Sequence, residues 1–216
     1  MVRTRMTKKL PVNPLNIVVI GVERLSAPLL PPLCRVLNDG SEMYRFDRPS
    51  VLVVDATQAE SAAANLHREF HDIGFAACQA KVTEENVAEL TPEGAVVFCC
   101  VNNLATVKII SDHCSKLRNV TAIRGGCGFL DGMIQVFARR EGKNITLPIA
   151  NEYHPELDAP KDEDCSGPQL VITNFAVASM MLNAFHAVLT DRISYSEAYL
   201  DVVSQNVRSF ERRSCR

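Results

Sequence analysis

Residues 16–37 read NIVVIGVERLSAPLLPPLCRVL, and the reading of this stretch decides the fold. Ile17, Val18, Val19 and Ile20 form an unbroken β-branched run, the pattern of a parallel strand covered on both faces. Gly21 ends the strand, and a helix is predicted to begin near Ser26. Strand, tight turn and helix open a mononucleotide-binding βαβ unit. Where such units carry phosphate-cradling glycines, this chain has Val22, Glu23, Arg24, Leu25 and Ser26. The scaffold of a nucleotide site is written here without its cradle.

Working outward, the same grammar repeats. Val51–Val54 is a second strand ending at Asp55, and Ala59–His71 follows as a helix with Ala63, Leu66 and Phe70 at helical spacing. Phe75–Cys78 is a short strand and Thr83–Leu90 a short helix. Ala95–Val101 is a third deep strand, Asn103–Leu117 a helix, and Val120–Ile123 a strand ending in Arg124-Gly125-Gly126. From Met133 the pattern changes to a partly exposed strand, a Glu141-Gly142 hairpin turn into Asn144–Pro148, and an apolar helix over Gln169–Leu189. Tyr199–Val203 is a last strand. Pro28, Pro31 and Pro32 fall inside the first helical pattern, which predicts a short, kinked or late-starting helix. The sum is an α/β, Rossmann-like fold: a mainly parallel sheet flanked by helices, with a more antiparallel C-terminal half. Residues 1–14 are a polar lead-in, 15–205 the α/β domain and 206–216 a charged tail. Residues 150–167 form one long acidic loop.

Composition bounds the function. A net charge of -2 argues against a dedicated nucleic-acid binder. No run of about 18 consecutive apolar residues occurs, and the first ten residues lack the apolar core of a secretory signal. The eight cysteines include no CxxC pair, and Cys78, Cys99, Cys100 and Cys127 lie in or beside apolar runs. They read as packed thiols in a reducing, cytoplasmic setting rather than as disulfides or zinc ligands. The same holds for the grouping His113, Cys114 and Cys127. No GxSxG elbow supports hydrolysis by Asp112 and His113.

Ligands of open α/β sheets sit at the carboxyl ends of the strands, here Gly21, Asp55, Asn102-Asn103 and Arg124-Gly125-Gly126. Asp55 is either an acceptor for ribose hydroxyls or a helix-capping turn residue. Beyond it lie Asn65-Leu66-His67-Arg68, Gly74 and Lys81. Strand-end Asp, Asn-Leu-x-Arg, Gly and Lys in this order resemble the ThiF/MoeB/HesA superfamily, the ubiquitin-activating type of adenylyltransferases. Glu69 stands in place of the usual Gln, and the Asp-to-Asn interval is longer than usual. Asn103-Leu104-Ala105-Thr106, Leu130-Asp131-Gly132-Met133-Ile134-Gln135-Val136 and Pro168–Asn174 extend the likeness to the bacterial ThiF-like branch. It covers about residues 15–205.

The resemblance implies binding of ATP and Mg²⁺ and adenylation of the C-terminal glycine of a ubiquitin-like partner. It implies that Gly21, Arg24, Asp55, Asn65 and Asn102 bind the nucleotide, with Asp55 at the ribose. Asn65, Arg68 and Lys81 would then face the phosphates, and Cys165 would be the candidate transfer thiol. Glu163 and Asp164 beside Cys165 would raise its pKa. The resemblance also implies a dimer, with either the ubiquitin-like protein or a second ThiF-like subunit as partner. The apolar helix Gln169–Leu189 would be a dimer face or an intramolecular core element.

Three departures fall on the phosphate site. Val22-Glu23-Arg24 replace the glycines that let backbone N–H groups approach a phosphate. Asn102 stands where the family has a metal-binding Asp, offering a carbonyl without charge. Val107 stands where the family has an Arg, and the neighbouring Lys108 is turned about 100° around the helix. Loss of one electrostatic stabiliser costs about 10²–10³ in rate. The chain therefore reads as a non-catalytic scaffold or partner-binding subunit, with an active adenylyltransferase as the alternative.

Overall fold

A computed structural model describes residues 14–22, 24–40, 44, 46, 48–149 and 169–211. Glu23, Cys165, the basic start and the acidic loop lie outside the described residues. Among the described residues, nine strands form one sheet in the order β3-β2-β1-β4-β5-β6-β8-β9, with β7 beside β6. In chain order they are β1 Asn16–Ile20, β2 Ser50–Val54, β3 Gly74–Cys78, β4 Val96–Cys99, β5 Val120–Cys127, β6 Asp131–Arg140, β7 Lys143–Asn144, β8 Glu197–Asp201 and β9 Asn206–Phe210. The helices are α1 Ser26–Asp39, α2 Ala59–Glu69, α3 Val87–Leu90, α4 Leu104–Cys114 and α5 Val171–Leu189.

β1 is central because its residues are apolar on both faces. Ile17, Val18, Val19 and Ile20 are all buried. They pair in parallel with β2 (Ile17↔Val51) on one side and with β4 (Ile17↔Val96) on the other. One face of the sheet packs under α1, α2 and α5, and the other under α3 and α4. β3, β2, β1, β4 and β5 are parallel, and pairing turns antiparallel from β6 onward. The strand order reverses between β1 and β4, which makes that crevice the topological switch point.

Several expectations are corrected. α1 is neither short nor late: it runs for 14 residues with Pro31 and Pro32 inside it. Pro28 lies in the first turn, where no N–H partner is required. An interior proline costs about 3 kcal/mol. Burial of one leucine contributes about 1.5–3 kcal/mol, and Leu29, Leu30, Leu33 and Leu37 are all buried. Packing therefore outweighs propensity.

β5 does not end at Gly125-Gly126 but continues to Cys127. A Cβ on Gly125 would lie 2.6 Å from both Leu25 Cδ2 and Met181 Sδ, so the glycine lets α1 and α5 approach the strand. On β6, a Cβ at Gly132 would collide with Val177 of α5. β9 occupies residues expected to begin a charged tail, and pairs antiparallel with β8. An 18-residue window of α5 has a mean hydropathy of 1.4, enough to cross a membrane by length and composition only, a test that the core helix of a soluble protein also passes; Thr173, Asn174, Ser179, Asn183 and His186 interrupt its apolar residues. The helix packs on β5, β6 and α1.

Candidate functional site

The switch point opens into a cleft of about 810 Å³ at the carboxyl ends of β1, β2 and β4. From the β1–α1 connection come Gly21, Val22 and Arg24, and from α1 Ser26, Ala27, Leu30 and Pro31. Asp55 and Gln58 enter from the turn after β2, and Ala62, Asn65 and Leu66 from α2. Val101, Asn102 and Asn103 follow β4, and Gln169 comes from the approach to α5.

Each group is positioned by a local cause. Gly21 has φ +91°, and a Cβ there would lie 2.7 Å from Val101 Cγ1. Only glycine adopts that conformation without strain and leaves that space. Its N–H donates to Val54 O at 2.8 Å, which ties the end of β1 to β2.

Asp55 joins the two walls. Its Oδ2 accepts the Val22 N–H at 2.9 Å, and its Oδ1 accepts the N–H groups of Thr57 and Gln58, each at 2.9 Å. Gln58 is the N-cap of α2 yet makes no capping bond with its own side chain, so Asp55 caps from three residues upstream. Desolvation would raise the Asp55 pKa. Backbone N–H groups of Thr57, Val22 and Gln58, with the Thr57 hydroxyl, outweigh it and hold the carboxyl below its usual range.

α1 begins without a side-chain cap. Pro28 has no N–H, so its first turn offers fewer donors than an ordinary helix N-terminus. At α4, Asn103 Oδ1 accepts the Thr106 N–H at 2.9 Å, so that side chain is engaged as a cap. Asn102 and the Gln58 side chain make no hydrogen bond to another described residue.

Gly21, Arg24, Asp55, Asn65 and Asn102 thus meet in one cleft. Arg68 and Lys81 are exposed and do not line it. Ala62, Asn65 and Leu66 turn one face of α2 to the cleft, and Arg68 is not among the lining residues. Arg68 lies about 4.5 Å further along the helix than Asn65, and reaches back to Asn65 Oδ1 at 3.5 Å. Lys81 follows β3, the edge strand, two strands and roughly 10 Å from β1. Val107 is buried beneath the sheet. Lys108 pairs with Asp112 at 3.7 Å on the exposed face of α4, so it does not substitute for an Arg in the cleft.

Gln58 and Gln169 are lining residues that the sequence does not single out for the site. Gln58 has a local signal, its place in the turn after the strand-end Asp55. Gln169 has none, because the sheet brings it there from the far end of the chain. Also without local signal is a buried relay on β5, β6 and β8. Arg124 Nη1 donates to Gln135 Oε1 at 2.9 Å, Gln135 Nε2 to Glu197 Oε1 at 2.9 Å, and the Tyr199 hydroxyl to Glu197 Oε2 at 3.1 Å.

Among the described residues, Cys34, Cys99, Cys100 and Cys114 are buried free thiols, and Cys78 and Cys127 are partly buried. Burial pushes Cys34, Cys114 and Cys127 up to about 12, and Cys100 well above its ordinary value. His113 Nε2 lies 3.0 Å from Thr91 O. No group of three or more metal-ligating side chains occurs among the described residues.

Residues 51–216 match the ThiF family. No curated protein matches the chain by sequence. Among solved structures, E. coli MccB with ATP superimposes with a TM-score of 0.68 at 8% identity, covering 91% of this chain and 63% of that one. The Microcin C7 biosynthetic enzyme MccB in complex with N-formylated MccA gives 0.63 at 8% identity, covering 91% and 64%. At such identity the likeness is one of fold, and the chain spans a little under two thirds of those proteins.

Proposed function

The chain belongs to the ThiF family, and from that premise we propose that it is a non-catalytic, partner-binding member of a ubiquitin-like or sulfur-carrier-type pathway. One observation carries the reading. The Val22 N–H, the first backbone donor after Gly21, points to Asp55 Oδ2 at 2.9 Å. In a phosphate-cradling turn such a donor faces the ligand; here a carboxylate of the protein has taken the place of the phosphate.

The rest of the donor set agrees. Arg24 is the one cation among the described lining residues, and Asp55 the one carboxylate. Asn102 brings no charge to a metal, Val107 is buried, and Lys108 faces Asp112. MgATP needs its triphosphate charge neutralised and its metal held by carboxylates. The described lining residues do not fit that group.

The alternative is an active ATP-dependent adenylyltransferase acting on the C-terminal glycine of a ubiquitin-like protein. It is favoured by the cleft itself, which remains open over Gly21. The MccB structures that share the fold carry ATP or MccA.

Partner binding falls to the start of α5, next to the cleft that Gln169 lines. Val171, Ile172 and Phe175 of α5 and Phe129 of the β5–β6 turn are at least half exposed. The Thr173 hydroxyl donates to Phe129 O at 2.9 Å, which holds this apolar surface together. A contiguous apolar surface marks a protein interface, and we assign it to a second ThiF-like subunit.

The test is adenylate formation from α-labelled ATP, Mg²⁺ and a glycine-terminated ubiquitin-like protein. No label above background is expected on the partner. Label that disappears with Arg68→Ala would contradict the reading.

A further inference from the structure

We propose that β3, the outer strand of the parallel half, pairs with β3 of a second copy of this chain. The two strands run antiparallel about a two-fold axis at Ala76, so that the two sheets become one. This surface is separate from the start of α5, and the inference does not depend on that assignment.

The first ground is an edge without protection. β3 reads Gly74-Phe75-Ala76-Ala77-Cys78, and Gly74, Ala76 and Ala77 are exposed. An edge strand with no charge, no proline and no bulge is a template for another strand. Pairing with β2 is unbroken from Gly74 to Cys78, so no bulge turns this edge away. The opposite edge, β9, is guarded. Arg208 stands at its middle and would meet the partner's Arg208 in the same arrangement, a like-charge pair that destabilises.

The second ground is the direction of the backbone groups. The Gly74 N–H donates to Pro49 O at 3.0 Å, and Cys78 O accepts the Asp55 N–H at 3.2 Å. Alternate residues of a strand bond to the same side, so Gly74, Ala76 and Cys78 are committed to β2. Phe75 and Ala77 direct their N–H and C=O groups outward, and no described residue bonds to them there. With Ala76 on the axis, Phe75 faces the partner's Ala77 and Ala77 the partner's Phe75. Each of these pairs exchanges two N–H···O bonds, which uses every outward group of both residues.

The third ground is side-chain size. In this register Phe75 lies across from the partner's Ala77, and Gly74 from the partner's Cys78, so the larger residue meets the smaller and no like charges meet. At the axis the Cα atoms of a pair without hydrogen bonds approach to about 4.5 Å, a spacing that suits two methyl groups. Phe75 is seated on the α2 side of the sheet, its ring 6.2 Å from that of His67, and only a small residue fits across from it.

Five residues a side form an interface smaller than the standard size, so a dissociation constant of roughly 0.1–1 mM is expected. The experiment is analytical ultracentrifugation of the full chain carrying Ile172→Glu and Phe175→Glu, which removes association through α5, from about 10 μM to about 1 mM. Dimers are expected at the upper end. Over the same range the wild type should pass from dimers to assemblies of four or more. Ala77→Pro removes one outward N–H and none of the bonds to β2, as an edge strand tolerates, and should leave monomers throughout. Ala76→Glu and Ala76→Lys should each do the same. Their equimolar mixture should associate at least about tenfold more strongly than either alone, because only a residue facing its own copy at the axis allows that rescue. A protein with Ile172→Glu and Phe175→Glu that stays monomeric at the highest concentration overturns the proposal and leaves the edge to a strand of another protein. Dimers indifferent to Ala77→Pro and to charge at residue 76, in protein whose circular dichroism is unaltered, also overturn it. A mixture no more associated than its components overturns the pairing about Ala76.

Discussion

Asp55 holds two elements at once. Its carboxylate ties the turn after β1 to the start of α2 through three backbone N–H groups. Removing a capping acceptor costs about 0.5–2 kcal/mol, and the unpaired Val22 N–H adds to that where water does not reach it. Asp55→Ala is therefore expected to lower stability by roughly 1–3 kcal/mol in urea unfolding, and Asp55→Asn by less, because one acceptor oxygen remains. The wild-type contribution has a definite pH sign. The folded pKa lies below the unfolded value, which is about 3.9. The contribution is fully present above that value and is lost as pH falls through the folded pKa. The difference in unfolding midpoint between wild type and Asp55→Ala should shrink on acidification and stay constant from pH 6 to 8. In the sequence, Asp55 is legible as a site residue from its place at a strand end, but not as a clamp. That role depends on Val22, 33 residues away, and no local pattern encodes the pairing.

At the scale of elements, buried periodicity is what the sequence states most clearly. β1, β2 and β4 are continuous apolar runs and are found as strands. Elements whose cause lies elsewhere in the chain are harder to read. β9 is exposed along its whole length and carries Asn206, Arg208 and Ser209, so nothing in its own composition marks a strand; pairing with β8 makes it one. The glycines of β5 look like a terminus until α1 and α5 are seen to press against them. α1 shows tertiary packing overriding propensity. Pro31 and Pro32 cannot donate to the carbonyls of Ala27 and Pro28. Pro31→Ala restores one such donor, and is expected to raise stability by about 1–3 kcal/mol as read by denaturant midpoint. An unchanged or lower midpoint would show that the proline contributes through the unfolded state instead.

At the scale of the whole molecule, the cleft and the apolar start of α5 adjoin, since Gln169, two residues before Val171, lines the cleft. The cleft lies at the switch point of the parallel half. The apolar surface lies where α5 begins, beside the β5–β6 turn. If that surface is the subunit interface, the protein is a dimer at micromolar concentrations, the weak end of the range that interfaces of standard size span. Ile172→Glu with Phe175→Glu should then give monomers by light scattering with the unfolding midpoint little changed. A wild-type monomer across that range would reject the assignment. The central claim concerns chemistry, and ATP–pyrophosphate exchange tests it most directly, because exchange reports the first half-reaction without any later transfer. With Mg²⁺ and a glycine-terminated ubiquitin-like protein present, the account predicts exchange no greater than in the absence of protein. Exchange above that level, abolished by both Asp55→Ala and Arg68→Ala, would contradict it.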